Sequence, residues 1–182
     1  MIRKATLQDV DQINEIYNEI HTEEENGRLI VEWARDVYPT KQTAIDGIKA
    51  NEMFVMEIDG EIVAAAKINQ EQEEEYEQAN WDYQISDDQI MVLHTLVVSP
   101  KHGKKGYGKR FVEFYEEYAY HHGCKYLRMD TSSKNLIARK LYNKLGYKEV
   151  SILPSVFNGM DFGLVCLEKK IVLVTGAAGF IG

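Results

Sequence analysis

The sequence is poor in the features that divide or export a chain. Three prolines in 182 residues, and no stretch rich in glycine and serine, leave no place for a linker between two domains. That length suits one domain with a sizeable core. No apolar run approaches the roughly 20 residues that a membrane-spanning helix needs, so no membrane partner is expected. The opening "MIRKATLQDVDQ" lacks an apolar signal core, so a cytoplasmic location is expected. Cysteine is nearly absent. Cys124 and Cys166 both lie in apolar, strand-like runs. They read as buried thiols in a reducing compartment rather than as a disulfide. With no clustered ligands beside them, no metal site is expected.

A net positive charge is missing too. The formal charge is -8, which argues against nucleic-acid binding. The charges are also sorted along the chain. Residues 69–89 carry eight acids and no lysine or arginine. Residues 99–110 reverse the sign, with Lys101, Lys104, Lys105, Lys109 and Arg110 and no acid. A solvated face explains either run alone; the glycines inside the basic one ask for more.

Hydrophobic periodicity gives the element order. "MIRKAT" reads as a short strand. Thr6 then caps a helix whose apolar face is Val10, Ile13, Ile16, Tyr17 and Ile20. A second helix opens at Thr40 or Thr43. "MFVMEIDGEIVAAAKI" reads as a hairpin turning at Asp59-Gly60. Residues 69–89 read as an elaborated loop. "IMVLHTLVVSP" is a long strand ended by Pro100 and followed by the basic turn. A helix over Phe111–His122 stops at Gly123, and "CKYLRMDT" is another strand. Asn135–Leu145 is a helix closed by Gly146, and two strands finish the pattern β-α-α-β-β-β-α-β-α-β-β, a mixed α/β order.

The chemistry concentrates where the basic turn joins strand to helix. Gly103, Gly106 and Gly108 allow close backbone approach. The unpaired N–H groups and positive dipole end of the following helix then favour phosphate, and five basic side chains surround them. A second glycine motif closes the chain. "IVLVTGAAGFIG" (residues 171–182) resembles the first strand and phosphate turn of an NAD(P)-dependent epimerase or short-chain dehydrogenase. The helix, second strand and acidic residue of a dinucleotide fold do not follow it. The expectation is therefore a domain over 1–169, an appended tail over 170–182, and no NAD.

"LHTLVVSPKHGKKGYGKRFVEFYEEYA" resembles the acyl-CoA-binding segment of the GNAT superfamily of N-acyltransferases. "DTSSKNLIARKLYNKLGYKEV" resembles its second signature, Asn-x-x-Ala-x-x-Leu-Tyr-x-x-x-Gly-Tyr. The two stand in the family's order, and the likeness covers essentially residues 1–168. One position departs: Gly103 stands where the family carries Arg or Gln. The fold implied is a mixed sheet of six or seven strands, splayed at an acetyl-CoA site and flanked by helices. The activity implied is transfer of acetyl from acetyl-CoA to a primary amine by direct attack.

The resemblance also implies roles for residues. The pantetheine arm would pair with the backbone of Leu96 and Val98, and an N–H near Leu96 or Val97 would face the developing oxyanion. Gly103, Lys104, Lys105, Gly106, Tyr107, Gly108 and Lys109 would hold the pyrophosphate. Asn135 would contact the arm or fix its helix start. Tyr142 stands where the family places the general acid, and a phenol with a pKa near 10 stays protonated at neutral pH. Periodicity alone would make it a packed tyrosine. His94 matches the catalytic histidine of arylalkylamine N-acetyltransferases and would accept the amine's proton, directly or through water. A buried structural histidine is the alternative. Strand alternation puts it on one face with Val92 and Leu96. Glu32, Asp36 and Glu57 are further candidates for a base. The acceptor, expected to be a small cationic amine, would sit between residues 21–40 and 69–89. A monomer or homodimer is expected. The competing reading is a CoA-binding regulatory module with little catalysis.

Overall fold

The computed structural model describes residues 1–157 and 160–172, and the side chains of all of these except 155–157, 160 and 161. The glycine motif of the tail lies outside the described residues. Seven strands form one sheet in the order β1-β2-β3-β4-β5-β7-β6. They are β1 (Ile2–Lys4), β2 (Met53–Ile58), β3 (Glu61–Asn69), β4 (Ile90–Val98), β5 (Tyr126–Ser132), β6 (Lys148–Phe157) and β7 (Met160–Lys170). The helices are α1 (Val10–Glu25), α2 (Lys41–Lys49), α3 (Tyr107–His121) and α4 (Leu136–Lys144). The element order is the one that the hydrophobic pattern implies. Asp59 and Gly60 both take positive φ, 52° and 81°, the left-handed pair that a tight hairpin turn requires.

One face of the sheet carries α3 and α4. Met91 and Leu93 of β4 and Leu127 and Met129 of β5 pack there against Phe111, Val112 and Tyr115. The opposite face is shared. α1 and α2 cover Val55, Ala65 and Val97, while Tyr76 and Trp81 from residues 70–89 cover Ile90, Val92 and Cys166. The acidic stretch is thus a folded cover. Only two short 3-10 turns, Glu74–Gln78 and Asp87–Gln89, are regular within it.

Arg128 fastens this cover. It is buried on β5 and donates to Glu168 Oε2 of β7 at 3.0 Å, to Gln72 Oε1 at 2.6 Å and to the Tyr83 carbonyl at 2.9 Å. Its guanidinium lies 4.1 Å from the centre of the Trp81 ring. Glu168 in turn accepts the N–H groups of Asp82 and Tyr83. A fully hydrogen-bonded buried pair adds little over an apolar one, but losing one partner strands a charge. Glu168→Ala is expected to cost about 3 kcal/mol, read as a lower urea midpoint at an unchanged slope.

The sheet opens in the middle. β4 and β5 run parallel and pair from Ile90↔Tyr126 to Leu93↔Met129, where the pairing stops. On its other side β4 pairs with β3 through His94↔Lys67 and then Val97↔Ala65. The extra residue is a bulge, and Thr95 sits at φ 52° within it. The bulge corrects one expectation. Strand alternation put His94 and Leu96 on one face. In the structure Leu96 packs against the core under α3 and α4, whereas Val92 and Val97 belong to the opposite face. The inserted residue reverses the alternation between His94 and Leu96.

Candidate active site

The parting of β4 from β5 forms the floor of a cavity of about 490 Å³. Its wall includes Leu93–Val98 of β4, Asp130–Ser132 of β5, Gly108 of α3 and Tyr142 of α4. The far side is closed by Leu29, Val31, Trp33 and Tyr38 from the segment after α1, and by Glu73 and Glu75 from the acidic cover. Both segments expected at an acceptor site therefore reach the cavity. No lysine or arginine lines it among the described residues, whereas Glu32, Glu73, Glu75 and Asp130 do.

One end is built for an anion. α3 starts at Tyr107, four residues earlier than the apolar pattern suggests, and no side chain caps it. Gly106 precedes it at φ 76°, a left-handed conformation in which a side chain would be strained. The first free N–H groups of a 15-residue helix thus follow the glycine turn directly. The five basic residues divide in two. Lys101 is occupied by Glu15 and Glu19, and Lys109 approaches Glu113 at 3.5 Å. Among the described residues no carboxylate pairs with Lys104, Lys105 or Arg110. Gly108 touches the cavity itself; Gly103–Tyr107 and Lys109 lie outside its wall, on the turn leading to it. Asn135 caps α4, its Oδ1 accepting the Ala138 N–H at 3.2 Å, and also faces the cavity.

Tyr142 is held on the cavity wall by the core beneath α3 and α4, with its ring 6.1 Å from that of Tyr147. Burial pushes its hydroxyl pKa well upward, and the nearby Asp130 adds to this. It therefore stays protonated throughout the neutral range.

His94 also lines the cavity, with both ring nitrogens engaged. Nε2 lies 2.8 Å from Asn69 Oδ1 and Nδ1 lies 3.1 Å from Glu73 Oε1. The amide nitrogen of Asn69 points to the carboxylates of Glu52 and Glu71, which fixes its oxygen toward His94. Nε2 then donates to that oxygen, and Nδ1 faces the Glu73 carboxylate. Its hydrogen bond with His94 holds the Glu73 carboxyl below the usual range.

The other proposed bases separate. Glu57 is paired with Arg3, and Asp36 is exposed; neither lines the cavity. Glu32 is at the cavity but spoken for. It is buried at φ 62°, accepting Ser132 Oγ at 2.5 Å and Lys134 Nζ at 2.6 Å. Glu24 accepts the backbone N–H groups of Val31 and Glu32. Together these bonds strap the segment after α1 across the cavity. The Tyr38 hydroxyl, hydrogen-bonded to Thr95 Oγ1, ties the same strap to the bulge.

Sequence reasoning did not single out Asp130 or Glu73. Asp130 lies on β5 one step beyond the last residue paired with β4, and Tyr76 donates to its Oδ2 at 2.7 Å. Burial raises its carboxyl to about 6. Glu73 was one acid among eight, and nothing local marks which of them turns inward.

Comparison with known proteins agrees with this architecture. The family model described as "Acetyltransferase (GNAT) family" matches residues 10–147. An uncharacterized N-acetyltransferase of Methanocaldococcus jannaschii is 23% identical over 172 residues, covering 93% of this chain and 92% of that protein. A GNAT-family acetyltransferase structure from Streptococcus agalactiae is 24% identical, with a TM-score of 0.81 over 95% of this chain and 96% of that one. YncA of Salmonella typhimurium, solved with its cofactor acetyl-CoA, is 18% identical with a TM-score of 0.70 over 99% and 98%. The splayed sheet, the glycine turn that opens α3 and this match across most of the chain place the protein in the GNAT acetyltransferase family.

Proposed function

We propose that the protein transfers acetyl from acetyl-CoA to a primary amine on a small cationic acceptor. The observation that carries this is the polarity of the site. An uncapped helix start with Lys104, Lys105 and Arg110 stands at one end; at the other, the described residues line a cavity with four carboxylates and no lysine or arginine. The first favours a pyrophosphate, and the second favours an ammonium.

The residues fit acetyl-CoA. The free helix-start N–H groups and Lys104 and Lys105 take the pyrophosphate, with Gly106 giving close access. The edge of β4 from His94 to Val98 lacks a β5 partner and accepts the pantetheine arm as an added strand. A backbone N–H at Leu96 or Val97, beside the bulge, faces the carbonyl oxygen as charge develops there. Asn135, fixed by its cap bond, borders the arm.

Tyr142 acts at the departing sulfur. Reference pKa values are about 10 for a phenol and about 8.5 for a thiol. Burial raises Tyr142 further, so it serves as a permanent donor that stabilises the thiolate. Full transfer becomes favourable because the newly acylated nitrogen, a far stronger acid, can reprotonate the phenolate. His94 lies on the acceptor side, where Asn69 and Glu73 fix its ring beside the incoming amine.

Tyr142→Phe is expected to lower kcat about 100-fold while leaving the acetyl-CoA dissociation constant unchanged, measured by free-thiol release over an amine panel and by calorimetry. No thiol release by the wild type with any amine, despite acetyl-CoA binding, would favour a regulatory binding module. The double variant Lys104→Ala, Lys105→Ala is expected to weaken acetyl-CoA binding about tenfold at low salt. Raising the salt should shrink the difference, because these charges are exposed.

A further inference from the structure

We infer that Asp130 is the residue that anchors the acceptor's ammonium and takes its proton. This rests on the amine-acceptor reading above and names the group that serves it.

Three geometric facts lead here. First, the strand register. The β4–β5 ladder ends at Leu93↔Met129, so His94 and Asp130 are the first residues past the last rung, side by side where the strands part. Second, the face. On β5, Leu127 and Met129 point under α3, so Asp130 points with Arg128 to the face covered by Tyr76 and Trp81. That is the side where Glu73, Glu75 and the strap close the cavity. Third, the free valence. Tyr76 occupies Oδ2, and among the described residues no hydrogen bond reaches Oδ1. By contrast, both nitrogens of His94 are committed, and Glu32 is neutralised by Lys134.

The surroundings of Asp130 leave its charge uncompensated. Facing it are Tyr76, Glu73 and Glu75 from the cover, and His94 from β4. Tyr142 faces it from α4, Tyr38 from the strap, and the Cys166 thiol from the paired strand β7. This set holds no lysine or arginine, and its one imidazole, His94, is engaged by Asn69 and Glu73. A carboxylate so placed favours a cation in the cavity, and the acceptor supplies one.

The proton inventory closes. The acceptor arrives as R–NH3+ and gives one proton to Asp130. The neutral nitrogen attacks the thioester carbonyl, forming the C–N bond. The C–S bond breaks, and the thiolate takes the proton of Tyr142. The surplus proton on the acylated nitrogen restores Tyr142, and Asp130 releases its proton to solvent. The sum is R–NH3+ and acetyl-CoA giving the amide, CoA-SH and one proton. His94 and Glu73 are then positioning residues, held to each other and to Asn69 beside Asp130.

The pH dependence has a definite sign. Burial raises the Asp130 carboxyl from 3.8 to about 6, so the form able to accept a proton is gained as pH rises through 6. A pKa raised on folding also means that the folded state binds this proton more tightly than the unfolded chain. Stability linked to Asp130 is therefore full below pH 4 and lost between pH 4 and 6. Removing the charge should stabilise the free protein at pH 8 and not at pH 4.

The test is Asp130→Asn beside Tyr76→Phe, with kcat/KM followed from pH 5 to 9 and Tm recorded at pH 4 and 8. Asp130→Asn is expected to lose at least 100-fold in kcat/KM and the acidic limb near pH 6, bind acetyl-CoA normally, and melt higher than wild type at pH 8 alone. Tyr76→Phe removes a hydrogen bond to the ionised form, so its acidic limb should move to higher pH. Wild-type rates with the acidic limb intact in Asp130→Asn would overturn the assignment. Should the wild type acetylate no amine, the functional reading fails separately and the melting data decide. A Tm gain at pH 8 alone would still support an uncompensated carboxylate awaiting a cation, and no gain would refute it.

Discussion

The separation of β4 from β5 beyond Leu93 and Met129 is the constraint on which the rest of the structure depends. Two parallel strands in the middle of a sheet normally continue their ladder, since each unpaired buried N–H or C=O is costly. Here the Thr95 bulge turns β4 away, and the strap residue Tyr38 bonds to that same threonine. Glu32 spans from the strap to Ser132 and Lys134 on the β5 side. The gap is thus bridged from above while its floor stays open. Its free strand edge asks for a partner with its own donors and acceptors, which a pantetheine arm supplies.

Charge is arranged around that gap. An acidic protein of net charge -8 keeps Lys104, Lys105 and Arg110 at the glycine turn without carboxylate partners among the described residues. It excludes lysine and arginine from the cavity wall among the described residues. The one buried arginine on that face of β5, Arg128, is neutralised by Glu168 and spends its other donors on Gln72 and Tyr83. It fixes the cover that brings Glu73 and Glu75 to the cavity and Tyr76 to Asp130. A stability device two residues from Asp130 on the same strand therefore also sets the electrostatics of the site.

Much of this was legible in the sequence, for local reasons. Turn chemistry at Asp59-Gly60, Gly123 and Gly146, and apolar periodicity between them, gave the element order because those signals act within a few residues. The glycine turn and the Asn135–Tyr142 segment were legible because each joins a strand to a helix with chemistry at the joint. The bulge was not. "VLHTLVV" reads as a continuous strand, and nothing in it says that Thr95 takes a left-handed conformation; that is set by contacts with β3 and Tyr38. Asp130 escaped notice because its position at the parting of the strands is a matter of register between elements 36 residues apart. Glu73 was hidden among its acidic neighbours for a similar reason.

The central claim is that the gap between β4 and β5 receives the acetyl donor. A crystal structure of the protein with acetyl-CoA tests it most directly. The account predicts the pyrophosphate at the backbone of Gly106–Gly108, the arm along Leu96–Val98, and the thioester between Tyr142 and the Thr95 bulge. Acetyl-CoA bound elsewhere on the sheet, with that gap left empty, would contradict it.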